Sequence, residues 1–349
     1  MPKQLYLRME PKISFKNDYS EGAHPKILQT LIQTNLDQEP GYGDDNLSKK
    51  AKELIIQAIG NPKAQIYFVS GGTQANLLVV SHLLKSYESV ISADTGHIEV
   101  HETGAIESSG HKINLISNID GKISVSGIHT IVTAHTDNHM VKPRMVYLSQ
   151  CTELGSLYSL REINEISKYC KTNNLLLFID GARLATALTA SANDVTLNDI
   201  SRLADIFYIG GTKNGALLGE AIVFQNSKLS KDFDFTLKQK GALMAKGRIL
   251  GAQFSTLFQG NLFFELGTHA NKMAALLVTA FKNKGYNFAS KPVSNQIFPI
   301  MPVAYAEALL KKYDFYIWQK LDNQDVVIRL VTSWSTQESW INQFIADIP

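Results

Sequence analysis

The sequence predicts an α/β layered fold: a large domain on a mostly parallel sheet, followed by a smaller carboxy-terminal α+β domain. Three observations carry this reading. Short β-branched and aromatic runs alternate with longer segments of helical period, the pattern of parallel strands joined by crossover helices. Several runs are apolar throughout, as strands buried on both faces are. After about Gly247 the texture changes to one long helical stretch and then shorter elements. In order, strands are expected at Gln65–Val69, Ser89–Ala93, Ile113–Ile116, Met145–Ser149, Leu175–Ile179, Ile206–Ile209 and Glu220–Phe224. Between them, apolar residues recur at helical spacing over Thr73–Lys85 and Leu160–Thr172. The smaller domain is read as a helical stretch over Ile249–Lys284, then Asn295–Met301, a helix near Val303–Tyr313 and a strand at Val326–Val331. This divides the chain into an amino-terminal arm (1–45), a large domain (46–248) and a small domain (249–349), with no repeat or low-complexity tract between them.

Composition narrows the function classes. The chain has 349 residues, enough for two domains at about 150 residues each. Its 34 basic and 32 acidic residues leave a net charge of +2, without the one-sided excess of a protein held on nucleic acid or acidic membranes. A small-molecule partner is therefore expected. Two cysteines, Cys151 and Cys170, exclude a disulfide scaffold and offer no paired metal-ligand spacing. No metal is expected. Charges scattered through the amino terminus, and the lack of an apolar run long enough for a span, predict a soluble, cytoplasmic protein.

Polar residues stand at four strand ends, and in an open parallel sheet ligands gather at the carboxyl ends. Ser70-Gly71-Gly72-Thr73 precedes a helix. Its glycines let backbone N–H groups approach an anion, although the same motif also serves as a plain turn and cap. Asp180 follows the apolar run Leu175–Ile179, where a buried carboxylate needs a partner. A pyridinium nitrogen would be one, and the amides of the next helix another. Lys213 stands in Gly210-Gly211-Thr212-Lys213-Asn214-Gly215, at the mouth of another apolar strand. Burial there makes an amine nucleophilic toward an aldehyde, whereas exposure would leave a plain surface cation. His97 follows a fourth strand, placed to stack on a flat heteroaromatic ring or to exchange protons. Nearby His101, Glu102 and His111 fit an ordinary polar network. Together these residues point to pyridoxal 5′-phosphate (PLP).

In their order, Tyr42-Gly43-Asp44-Asp45, Gly72-Thr73-Gln74-Ala75-Asn76, Asp180-Gly181-Ala182-Arg183, the Lys213 loop and Ile328-Arg329-Leu330-Val331-Thr332 resemble the low-specificity threonine aldolase branch of the β-eliminating lyases, from about Ile13 to Ile345. The resemblance implies a PLP-dependent transferase-like (fold type I) architecture, with a mostly parallel seven-stranded sheet, and a homotetramer built as a dimer of catalytic dimers. It implies phosphate binding by Gly72 and Thr73, ring stacking by His97, a pyridine-nitrogen partner in Asp180 and a Schiff base on Lys213. Arg183 would lie near the cofactor hydroxyl and the substrate carboxylate, and Arg329 would clamp that carboxylate. Tyr42 and Lys240 would reach toward a neighbouring subunit's cofactor, with Lys246 and Arg248 as competitors for the place of Lys240.

Two departures from the family pattern stand out. Lys16-Asn17-Asp18 replaces Arg-Ser-Asp, so the carboxylate contact would come from Asn17. Glu153 stands near the position of a histidine, leaving Glu153, His97 or a water between them as acceptor of the β-hydroxyl proton. The implied reaction is aldol cleavage of L-threonine or L-allo-threonine to glycine and acetaldehyde. The alternatives are β-elimination from another amino acid and, more remotely, a non-catalytic phosphate- or nucleotide-binding protein. The second lacks both G-x-x-x-x-G-K-[ST] and G-x-G-x-x-G.

Overall fold

A computed structural model describes residues 12–321 and 324–349. Its main sheet has seven strands in the spatial order Gln65–Val69, Glu220–Phe224, Ile206–Gly210, Leu176–Asp180, Lys142–Ser149, Glu88–Ala93 and Ile113–Ile116. Neighbours from Ile206–Gly210 to Ile113–Ile116 run parallel, and only Glu220–Phe224 runs against both its neighbours. The uniformly apolar strands have the reason expected for them. On one face Val146, Leu148, Leu177, Ile179, Phe207 and Ile209 pack beneath the helices Asn46–Ile59, Leu160–Thr172 and Leu197–Leu203. On the other, Met145, Tyr147, Phe178 and Tyr208 meet Leu78 and Val79 of the helix Gly72–Leu83. Each such side chain fully removed from water contributes about 1.5–3 kcal/mol.

Register decides what the sheet presents at its edge. Val69 lies opposite Glu220, which lies opposite Gly210, and Ser149 lies opposite Asp180. The strand ends singled out in the sequence therefore stand side by side.

The stretch Ile249–Lys284 is two helices, Arg248–Phe258 and Leu262–Asn283. Between them Gly260 takes φ +82°, a left-handed conformation that glycine adopts without strain. The first helix gives Phe254 and Leu257 to the large-sheet core, whereas Met273, Leu277 and Phe281 of the second join a separate core with Ile328, Leu330 and Phe344. That second core backs an antiparallel sheet in which Ile300–Pro302, Tyr316–Lys320 and Gln296–Ile297 all pair with Asp325–Val331. The amino-terminal segment is tied to it: Ile13–Ser14 pairs in parallel with Tyr313–Asp314, and Phe15 is fully buried against Phe344. Residues 1–11, part of the expected arm, lie outside the described residues. Among the described residues no helix is long and apolar enough to cross a membrane.

Candidate active site

Asp180 ends its strand 4% exposed, and its carboxylate accepts three hydrogen bonds, leaving acceptor capacity for one more donor. Oδ1 accepts the Ala182 N–H at 2.9 Å, while Oδ2 accepts the Tyr147 hydroxyl at 2.5 Å and the Asn76 amide at 3.3 Å. Burial, reinforced by Asp180, holds the Tyr147 phenol well above its usual range, so it remains a donor. Asn76 also donates to Glu102 Oε1 at 2.7 Å, and the same oxygen meets His97 Nδ1 at 2.7 Å. A wholly buried carboxylate on Nδ1 fixes the imidazole's orientation and, in the neutral ring, leaves Nε2 as its acceptor. His97 and Asp180 are thus joined through two side chains.

Glu153 enters from the loop after Lys142–Ser149. Its Oε1 accepts the backbone N–H of His97 at 3.0 Å and the Ser149 hydroxyl at 2.6 Å. Burial raises its carboxyl above the ordinary value despite those bonds.

The Lys213 loop packs directly on the Asp180 turn. A Cβ on Gly210 would lie 2.4 Å from the Ala182 carbonyl oxygen, and one on Gly181 would lie 1.9 Å from that of Tyr208. Only glycine permits that approach. Burial, then the charge of Arg183, lowers the Lys213 amine, and among the described residues no carboxylate forms an ion pair with it. Beneath the loop, Glu220 accepts the Gly211 N–H at 3.0 Å, and burial pushes its carboxyl up to about 8.

Two arginines complete the cluster. Arg183 donates from Nε and Nη2 to Asp18 at 2.7 and 3.0 Å, a two-pronged pair to which Asn295 adds a 3.0 Å bond. Burial would raise the Asp18 carboxyl, but Arg183, Lys213 and Asn295 outweigh it and hold it below its usual value. Arg329 donates from Nη2 to Gln296 at 2.6 Å, while its Nε is buried without a partner among the described residues. Burial, then Arg183, brings its ionisation down to about 10.

His97, Glu153, Arg183, Lys213 and Arg329 face one cleft of about 490 Å³, walled also by Tyr19, Tyr316 and Trp318. A second hollow of about 460 Å³ lies over Ser70–Gln74 and includes Gly72, Thr73 and Lys240. There Gly71 begins the helix Gly72–Leu83 with no side-chain cap. The same helix carries Asn76 and so ties this hollow to Asp180. Lys246 and Arg248 stand elsewhere, and Arg248 is fastened to the carbonyls of Thr34 and Asp37.

The structure does not bring every expected residue to the cleft. Asn17 uses its side-chain oxygen on the Tyr19 N–H and the Ser20 hydroxyl, so that Tyr19 forms the wall. Tyr42, expected at a neighbouring subunit's cofactor rather than in this chain's cleft, is half exposed and lies 4.7 Å beneath Lys238. His101 is exposed at the cleft edge, whereas His111 is buried on the Glu88 carbonyl. Tyr147, Gln296 and Trp318 are cluster members that local sequence patterns did not reveal, while Asp18 and Asn76 stood inside motifs already noted but without a role of their own. Asp18 carried the faint signal of a charge three residues after Phe15.

The comparisons agree with one another. The beta-eliminating lyase family matches residues 18–302, most of the chain. The low specificity L-threonine aldolase of Pseudomonas sp. (strain NCIMB 10558) is 33% identical over 338 residues, covering 96% of each chain. The structure of Leishmania major threonine aldolase superposes with a TM-score of 0.95 at 45% identity, over 96% of this chain and 98% of that one. Aspartate aminotransferase of Thermus thermophilus, 11% identical, superposes at 0.73 over 96% and 90%, which shows a shared fold. With the aminotransferase-type sheet, the strand-end cluster and a family match over most of its length, the chain belongs to the beta-eliminating lyase family.

Proposed function

We propose that the protein is a PLP-dependent lyase that cleaves β-hydroxy-α-amino acids, L-threonine and L-allo-threonine, to glycine and an aldehyde. The observation that carries this reading is the meeting of Lys213, His97, Glu153 and Arg329 in one cleft, with Asp180 buried behind it. The aldolase names of relatives that align over 96% of the chain support it. The residues suit the cofactor's chemistry: a partly buried lysine without a carboxylate ion-pair partner among the described residues for its aldehyde, Asp180 for its ring nitrogen, His97 for its ring, and an uncapped glycine-rich helix start for its phosphate, where Lys240 stands beside this chain's own glycines rather than reaching toward a neighbour's.

When bound, PLP supplies an electron sink for the pair released on breaking Cα–Cβ. The chain's own residues select that bond. Arg329, whose Nε has no partner among the described residues, takes the α-carboxylate through charge-assisted bonds, and Arg183 adds positive charge to the same wall. With the carboxylate held at Arg329 and the amine at the Lys213 end of the cleft, the substituents at Cα would be fixed in one orientation, which is how these residues would choose the bond that breaks. Glu153, anchored through Oε1, presents its other oxygen as acceptor of the β-hydroxyl proton, with His97 Nε2 or an intervening water beside it. Lys213 would return a proton at Cα, and burial followed by the charge of Arg183 holds its amine below the ordinary lysine value. Asp180, whose carboxylate accepts from Ala182, Tyr147 and Asn76, would face the ring nitrogen as its charged partner.

Catalytic pairing of subunits belongs to the same reading: Ile32 and Leu36, 75% and 89% exposed on the segment before Tyr42, support a subunit contact there. The test of the cofactor assignment is borohydride reduction of the coloured protein followed by peptide mass analysis. Cofactor mass on the Lys213 peptide is expected, and colourless protein or label elsewhere overturns it.

A further inference from the structure

The wall that holds Arg329 contains a local distortion. Strand Tyr316–Lys320 pairs with Asp325–Val331 through Tyr316↔Arg329 and Ile317↔Ile328, then skips to Gln319↔Val327. Trp318 is the extra residue of a β-bulge. A regular strand shows alternate residues to one face, yet Tyr316, Ile317 and Trp318 all line the cleft. The bulge re-aims Trp318, as bulges beside functional sites do. The indole centroid lies 5.3 Å from the Arg329 guanidinium carbon, in cation–π range, and the ring also makes an edge-to-face contact with Phe298 at 5.5 Å.

The other hold on Arg329 is Gln296, 1% exposed. Its Nε2 donates to the Thr152 carbonyl at 3.2 Å, which orients the amide and turns Oε1 to the Arg329 Nη2 at 2.6 Å. A guanidinium gripped on one face and at one nitrogen retains Nε–H as a buried donor without an acceptor among the described residues. Such a group calls for an acceptor from the ligand.

Building on the carboxylate clamp of the proposed function, we infer that Trp318 is a positioning residue: with Gln296 it fixes Arg329 in the one orientation that offers Nε–H to the substrate carboxylate. The indole acts through Arg329, and its removal weakens recognition of the carboxylate while leaving recognition of the amine intact.

The experiment compares the PLP-loaded wild type with Trp318→Ala, Trp318→Met and Trp318→Phe, measuring calorimetric affinity for glycine and for methylamine, which lacks the carboxylate. Trp318→Met fills the space without a π face and stands in should the alanine variant fail to fold. The wild type is expected to prefer glycine. Trp318→Ala and Trp318→Met are expected to lose about tenfold in glycine affinity, the scale of a desolvated cation–π contact. Methylamine affinity stays within about twofold, since no carboxylate bond is involved. Trp318→Phe recovers most of the loss. Equal weakening of both ligands, or of neither, in a wild-type background that prefers glycine overturns the inference alone. A wild type with no preference for glycine overturns the clamp itself, and the inference with it.

Discussion

Asp18→Asn isolates a charge pair that fastens the amino-terminal segment across the cleft. Asp18 is 1% exposed and the Arg183 side chain 11%, so the substitution leaves a guanidinium buried with an amide in place of a carboxylate. Removing one member of a buried pair costs about 3–5 kcal/mol, and the isosteric amide places this case near the lower end. With an unfolding entropy of about 2 cal/mol/K per residue, a chain of this length melts about 4–5 °C lower. The Asp18 ionisation in the folded protein lies below its unfolded value of about 3.9. Its stabilisation is therefore complete above that value and is lost as pH falls through the lower folded-state value. Scanning calorimetry at neutral pH is expected to show the variant melting earlier, and the gap should close as acid protonates wild-type Asp18. Because Arg183 lines the cleft, the Michaelis constant for the amino acid rises as well. An unchanged melting temperature, or a deficit that persists undiminished in acid, refutes the reasoning.

The other predictions concern the cleft directly. Arg329→Ala raises the Michaelis constant for threonine on the order of 10- to 100-fold, the worth of charge-assisted hydrogen bonds, and Arg329→Lys recovers little because a point charge does not replace a planar fork; steady-state kinetics checks both. Asp180→Asn retains cofactor, measured by absorbance, while turnover falls by about 10² through loss of the charge facing the ring nitrogen. Glu153→Gln lowers turnover by about 10²–10⁴ at little cost in binding. Since burial raises the Glu153 carboxyl and the base must be ionised, wild-type activity is expected to climb with pH above the ordinary carboxylate range, and the variant should lose that limb.

Burial on both faces made the inner strands of the large sheet legible as apolar runs, whereas the partly exposed edge strands were read from their β-branched and aromatic residues. Gln65–Val69, Ile113–Ile116 and Glu220–Phe224 form where expected, and Asp180 stood out as a carboxylate closing such a run. The division at Gly260 was harder to see, since helical periodicity continues on both sides and a single glycine is weak punctuation. Site residues at strand ends were readable from local context. Those acting through distant partners were not: Asp18 meets Arg183 and Asn295 across 165 and 277 positions, and no local pattern encodes such a contact. Trp318 was hidden for another reason, because the bulge that turns it into the cleft depends on pairing with Asp325–Val331.

The most direct test of the account is product identification from the PLP-loaded protein, with Lys213→Ala as control. From L-threonine the wild type is expected to release glycine and acetaldehyde in equal amounts, the aldehyde followed through alcohol dehydrogenase, and Lys213→Ala to release almost none. Pyruvate and ammonia from serine or cysteine, with no glycine from threonine, would contradict it.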